Sequence, residues 1–191
     1  MNLLPKVDNL IVGSGLSYTF LAAMGLKIGN SLYEPDMLPV AKQILAQVDA
    51  TGTNFFCRLD SVCGDHFGND AQVMIPKDNN IPDGWEGLDI GPKSRRNIAQ
   101  AIKNSSTILW NGPVGVFELE KFSKGTKAVA VSVAAATIAG AYSVIGGGDS
   151  IAAIHKYELA DYISYISTGG GAMLEYLEGK ELPGVKALNE N

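Results

Sequence analysis

The residues best placed to do chemistry are two runs of three glycines: Gly146, Gly147 and Gly148 in 145-IGGGDSIAAI-154, and Gly169, Gly170 and Gly171 in 167-STGGGAMLEYL-177. Each run lies between an apolar stretch and a segment with helical spacing. Glycine costs conformational entropy and brings no side chain, so a triplet belongs where the backbone bends sharply or something approaches it closely. A glycine loop that opens a helix also presents free backbone N–H groups and the positive end of the helix dipole, which favours an anion such as phosphate. Two such loops point to a polyphosphate. Asp149 follows the first triplet, and a carboxylate beside phosphates repels them unless a cation intervenes, which points to Mg²⁺ held partly by the phosphates. The competing account is that the triplets only let helices pack tightly on a sheet.

Other chemistries find less support. Cys57 and Cys63 have His66 nearby, but a zinc site would need a fourth ligand from Asp60 or Asp65, and free thiols are the simpler reading. Neither His66 nor His155 forms a triad with a cysteine, and His155, between Ile154 and Lys156, reads as a helix-surface residue. Trp85 and Trp110 read as packing residues. The stretch 13-GSGLSY-18 invites the dinucleotide fingerprint, with Glu34 at a ribose-contact distance, yet Tyr18 stands where the fingerprint needs a small residue. A dinucleotide-dependent oxidoreductase rests on that stretch alone. The P-loop pattern is absent, because Gly125-Thr126-Lys127 lacks both a preceding strand and the required order.

These residues need elements to hold them, and apolar runs alternate with amphipathic stretches along the chain. Leu10 to Val12 reads as a strand; Ala41, Ile44, Leu45 and Val48 share a helix face closed by Gly52. Residues 54–57 and 72–75 read as strands, and 81-IPDGWEGLDIGP-92 as loop. Ser94 is the expected cap of a helix carrying Ile98, Ala101 and Ile102. Strands follow at 107–111, 142–146 and 163–167, with helices at 126–136 (capped by Thr126), 150–157 and 171–177. Short apolar strands alternating with helices predict an α/β fold: a doubly wound, mainly parallel sheet with helices on both faces, a Rossmann-like three-layer sandwich. Gly13, Gly112, Gly146 and Gly169 then fall just after strands, along the rim where open α/β sheets bind ligands.

The 191 residues suit one domain, and the 46% hydrophobic content fits a globular protein. A net charge of −5, with 15 scattered Lys and Arg, argues against nucleic acid as partner. No apolar run approaches the roughly 18 residues of a membrane span, and the first residues lack the apolar core of a secretory signal, so a cytoplasmic location without membrane contact is the expectation.

Several segments, in order, resemble the carboxyl-terminal half of phosphoglycerate kinase: 10-LIVGSGLSYTFLAAMG-25, 29-GNSLYE-34, 81-IPDGWEGLDIGPKS-94, 109-LWNGPVGVFELEKFSKGT-126, 145-IGGGDS-150 and 166-ISTGGGAMLEYLEGKELPGVKAL-188. The resemblance implies a site for ATP or ADP with Mg²⁺. Gly13, Ser14 and Gly15 match the loop beside the adenine, although the family commonly has glycine at the Ser14 position. Gly87 and Leu88 match residues packing on the adenine, and Asn111, Gly112, Pro113, Val114 and Val116 match the strand end and turn flanking it. Glu118 matches the carboxylate that accepts hydrogen bonds from the ribose. Gly147, Gly148 and Ser150 match residues next to the phosphates, with a hydroxyl kept at Ser150 where many members have threonine. Asp149 matches the Mg²⁺ ligand. Gly169, Gly170 and Gly171 match the catalytic helix start whose N–H groups face the transferring phosphoryl group.

The resemblance also implies what is missing. Family members are considerably longer; an amino-terminal domain holds 3-phosphoglycerate or 1,3-bisphosphoglycerate, and closure aligns donor with acceptor. A GGAKVSDK-type motif, which follows a strand inside the sheet and brings a pair of phosphate-facing lysines, has no counterpart here, since Lys6 precedes the first strand and Lys27 belongs to another matched segment. Residues 1–191 are therefore expected to form one nucleotide-binding domain, incomplete at its start, that binds nucleotide weakly and is inactive alone. The intact enzyme is implied to be a monomer of glycolysis and gluconeogenesis. The alternative is a nucleotide-binding module or subunit without catalysis.

Overall fold

Parallel strands account for both halves of the fold in the computed structural model, which describes residues 2–189. Strand β1 (Asn9–Ile11) pairs with β2 (Asn54–Phe56), joined through helices α1 (Leu16–Ala23) and α2 (Leu38–Thr51). Those two strands and helices share a core of Val12, Phe20 and Ala41, with Leu10, Ile44, Leu45 and Phe55 against it. Helix α2 ends where expected: Gly52, at φ 72°, takes the left-handed conformation that releases the chain.

The second parallel sheet has the order β6 (Thr107–Asn111), β7 (Tyr142–Gly146), β8 (Tyr165–Ser167). Helices α3 (Pro92–Lys103), α4 (Lys124–Ile138) and α5 (Gly148–Lys156) bury one face of it. Ile98 and Ile102 of α3, Val129 and Val133 of α4, and Ile154 of α5 meet Ile108, Trp110 and Ile145 of the strands in the main core. Residues Leu109, Val144 and Tyr165 are in register on neighbouring strands. Leu109 is 43% and Tyr165 56% exposed, so that face is open. The chain continues through α6 (Gly170–Leu177) and α7 (Pro183–Asn189). No helix among the described residues is long and apolar enough to cross a membrane.

The observed fold is thus mixed α/β with parallel sheets flanked by helices, but its strands do not form one sheet. Among the described residues β1 pairs only with β2, and β6 only with β7, so each keeps an unpaired edge. A further three-stranded antiparallel sheet, β4 (Val73–Met74), β3 (Ser61–Gly64), β5 (Glu86–Ile90), lies between them in sequence.

Strand β5 corrects the reading of 81–92 as loop. Its Gly and Pro neighbours punctuate the chain on either side, yet Leu88 and Ile90 are buried, and the strand pairs with β3 on both sides of a bulge at Leu88. Gly87 is required there, because any side chain would run into the hydroxyl of Tyr18. Two caps also differ. Helix α3 starts at Pro92, and its first turn is capped by Asp60: Oδ2 accepts from Lys93 N (2.9 Å), and Oδ1 accepts from Ser94 N (2.8 Å) and Ser94 Oγ (2.7 Å). Helix α4 begins at Lys124, and Thr126 instead accepts hydrogen bonds from Val114 N (3.3 Å) and Gly115 N (3.2 Å).

Candidate functional site

The two glycine triplets meet. A Cβ placed on Gly170 would stand 2.5 Å from the Gly147 nitrogen and 2.8 Å from its Cα, so the backbones that open α5 and α6 are in direct contact. Gly146 is packed under the side chain of Met173, and the Asn111 amide lies beside Gly147. The first triplet bends sharply: Gly147, the residue before α5, has φ 85° and is used as glycine alone can be used.

The fold therefore requires glycine at 147 and 170, and at 146 a Cβ would have to displace the end of the Met173 side chain. At Gly148, Gly169 and Gly171 the fold makes no such demand. A Cβ at any of these three would meet nothing within 4 Å, and none has a positive φ. Tight helix packing explains half of the glycines; the other half keep open the space around the joint start of α5 and α6. Asp149 lies exposed in the first turn of α5, at the same place.

The turn after β6 carries this region toward β1. At its near end the Ser150 hydroxyl, fully buried, accepts from Gly112 N at 2.6 Å, and Trp110 Nε1 donates to Gly112 O at 2.7 Å. At its far end Val114 covers Gly13: a Cβ there would lie 2.6 Å from Val114 Cγ1. Gly15 faces Leu32 at 3.8 Å by the same measure. Pro113 sits between these two anchors. Beyond the turn, Val116 N donates to Leu88 O (2.8 Å), which joins the 112–118 segment to β5. Lys156, in the last turn of α5, donates to Phe117 O (2.7 Å), leaving Glu118 exposed beside it. Gly87 N donates to the Ser31 hydroxyl at 2.9 Å. The Leu88 side chain is 5% exposed and packs with Val62, Ala71 and Phe122, so little of it is offered to a ligand.

One rim thus runs from loop 13–15, across turn 112–116, to the starts of α5 and α6. Backbone N–H groups and one carboxylate occupy one end, and Gly13, Val114 and Leu32 occupy the other. An elongated molecule with an anionic end fits it. Magnesium fits the anionic end as well, because a lone carboxylate at a helix start suits an ion that takes most of its ligands from phosphate and water. No group of three or more His, Cys, Asp or Glu able to hold a metal occurs among the described residues. Cys63 is buried and Cys57 half-buried, both free thiols, and burial pushes both pKa values up, that of Cys63 to about 12. His66 lies between Asp65 and Asp70, at 2.9 and 3.0 Å.

Two rim-supporting residues escaped the sequence reading. Arg58, 3% exposed, donates to groups of loop 13–15, helix α1, turn 112–116 and β5. The only signal was a cation inside the apolar run 55-FFCRL-59. Asp89, fully buried, accepts from Gly125 N (2.7 Å) at the start of α4. It was hidden in a segment read as loop. Tyr18, noted as a misfit to the dinucleotide fingerprint, fills the space beneath Gly87.

Known proteins share this fold. The family model described as phosphoglycerate kinase matches residues 1–180. A solved phosphoglycerate kinase from Coxiella burnetii superposes with a TM-score of 0.94 at 43% identity, covering 99% of this chain and 48% of its own. The phosphoglycerate kinase from Pyrococcus horikoshii OT3 gives a TM-score of 0.82 at 30% identity, covering 98% and 47%. The chain spans about half the length of these two enzymes.

Proposed function

Because this chain belongs to the phosphoglycerate kinase family, we propose that it is the nucleotide-binding part of such an enzyme, holding ADP or ATP with Mg²⁺ along the rim. The observation that carries this reading is the set of glycines at 148, 169 and 171, which the fold leaves without a packing or dihedral reason. They surround the meeting point of two helix starts, where a phosphate chain can approach the backbone. In this reading Gly13, Ser14, Gly15, Gly87 and turn 111–116 border the adenine, with Leu88 contributing mainly through its backbone. Glu118 accepts from the ribose hydroxyls. Gly147, Gly148 and the segment held by Ser150 line the phosphates, and Gly169, Gly170 and Gly171 face the phosphoryl group in transfer.

Transfer of a phosphoryl group between 1,3-bisphosphoglycerate and ADP spreads negative charge over three equatorial oxygens, so alignment and preorganised positive potential do most of the work. The N–H groups at the starts of α5 and α6 supply that potential without reorganising. Asp149 would hold Mg²⁺, which when bound neutralises phosphate charge. No protein nucleophile is needed. The acid-sugar substrate and the pair of phosphate-facing lysines belong to the half of the enzyme that this chain does not match. Missing charge-assisted hydrogen bonds, each about 1.5 to 3 kcal/mol, make the chain alone a weak binder without kinase activity.

The test is calorimetric titration of Mg-ADP into the chain, with and without an amino-terminal half of phosphoglycerate kinase, followed by a transfer assay on both samples. Weak binding by the chain alone and transfer only in the mixture are expected. Turnover by the chain alone would overturn the inactive assignment. Absence of binding in both samples would overturn the nucleotide site.

A further inference from the structure

We propose that Arg58 is a positioning residue that holds the two loops at the adenosine end of the rim as one unit, and so sets affinity for the nucleoside and not for the phosphates. This rests on the nucleotide reading of the rim.

Every nitrogen of the guanidinium is engaged. Nε donates to Ser17 Oγ at 2.6 Å; Nη1 donates to the Tyr18 hydroxyl and to Asp89 O at 3.2 Å; Nη2 donates to Ser14 O at 3.1 Å and Val114 O at 3.3 Å. The group also lies over the Tyr18 ring, 4.2 Å from its centroid. All these acceptors are neutral, and among the described residues no carboxylate is within ion-pair distance of Arg58. A buried cation without a direct ion pair is costly, and it persists where its hydrogen bonds secure something else.

What it secures is the junction of two loops. A single nitrogen, Nη2, binds the carbonyls of Ser14 and Val114, one in each loop, beside the point where Val114 covers Gly13. Ser14 has φ 54°, a left-handed backbone unusual for serine. Its carbonyl accepts both Arg58 Nη2 and, at 2.6 Å, the Ser17 hydroxyl. Strain of this kind is kept where surrounding bonds over-determine it, and Arg58 supplies one of those bonds while also binding Ser17. The planar fork matters: an ammonium group presents its donors from one point and cannot span five acceptors on four segments.

The phosphate end meets this network only through the far side of the turn, where Gly112 N donates to the Ser150 hydroxyl at 2.6 Å. Gly147, Gly148, Gly169, Gly170 and Gly171 make no hydrogen bond to Arg58; Gly147 packs beside Asn111 and Gly170 against Gly147. Loss of the Arg58 bonds therefore loosens one end of the rim and spares the other.

The test compares the unaltered chain with Arg58→Lys by calorimetric titration with Mg-ADP and with Mg-pyrophosphate, and by amide hydrogen exchange. Arg58→Lys is expected to weaken Mg-ADP binding by about tenfold, the loss of one net hydrogen bond. Binding of Mg-pyrophosphate should stay unchanged, and exchange should quicken in residues 13–17 and 112–116 together. Equal weakening of both ligands, or faster exchange in only one loop or in neither, overturns the proposal. If the unaltered chain binds no Mg-ADP, the nucleotide reading fails, and exchange still decides whether Arg58 couples the loops. Should Arg58→Lys not fold by circular dichroism, Ser17→Ala, which removes one acceptor, is measured in the same way with smaller effects in the same direction.

Discussion

Asp89 sits fully buried between two glycines, Gly115 and Gly125, where any added Cβ would run into its carboxylate. Burial raises its pKa from 3.8 to about 6, against the opposing effects of hydrogen bonds from Gly125 and Ile90 and of the charges of Arg58 and Arg95. The folded protein then binds the Asp89 proton more tightly than the unfolded chain does. Its contribution to stability is lost as pH rises from 3.8 through about 6, with a slope of at most about 1.4 kcal/mol per pH unit. Urea unfolding of Asp89→Asn and the unaltered chain between pH 4 and 7 checks this: the variant should lack that part of the slope, and parallel curves would refute it. His66, whose pKa is raised first by its bond to Asp70, is common to both proteins and cancels in the comparison. At this scale the sequence disclosed the glycine joint between the two helix starts better than the residues that support the rim. Triplets of glycine are visible in a string of letters, whereas the value of Arg58 comes from acceptors at residues 14, 17, 18, 89 and 114, which only folding brings to one place.

Among elements, the starts of α5 and α6 are matched as a pair, and the match depends on one glycine. Gly170→Ala forces a methyl group against the Gly147 backbone, which must separate the two helix starts. Gly171→Ala places its methyl in open space and improves helix propensity by up to about 1 kcal/mol. Thermal unfolding should show Gly170→Ala destabilised by roughly 1–3 kcal/mol, as overpacking typically costs, with Gly171→Ala unchanged or stabilised. Mg-pyrophosphate should bind Gly170→Ala more weakly. Equal behaviour of the two variants would mean that the triplets do not touch as described. Strands β6 and β7 coincide with the runs read from sequence, because each is a short run rich in apolar and β-branched residues, with glycine at or just after its end. Strand β5 was missed because it contains Gly87 and Asp89, residues that weaken strands in isolation and are kept here by Tyr18 and Gly125.

At the scale of the molecule, among the described residues, the parallel strands β1 and β6 keep unpaired edges, and a sheet face is open with Leu109 and Tyr165 exposed. Unpaired edges of this kind favour association with further strands. Sedimentation velocity on the chain alone should show concentration-dependent association. Unfolding should have a low midpoint that rises when an amino-terminal half of phosphoglycerate kinase is added. A monomer with a high midpoint, indifferent to the added half, would contradict this. The link between Asp60 and α3 acts on a different property, the order of events during folding. A helix whose first amides depend on a carboxylate more than thirty residues earlier is marginal by itself, since short isolated helices are barely stable in water. During synthesis Asp60 leaves the ribosome before Lys93 and Ser94. The clasp is therefore already outside when the segment it closes emerges, and α3 consolidates onto a prepared site instead of nucleating alone.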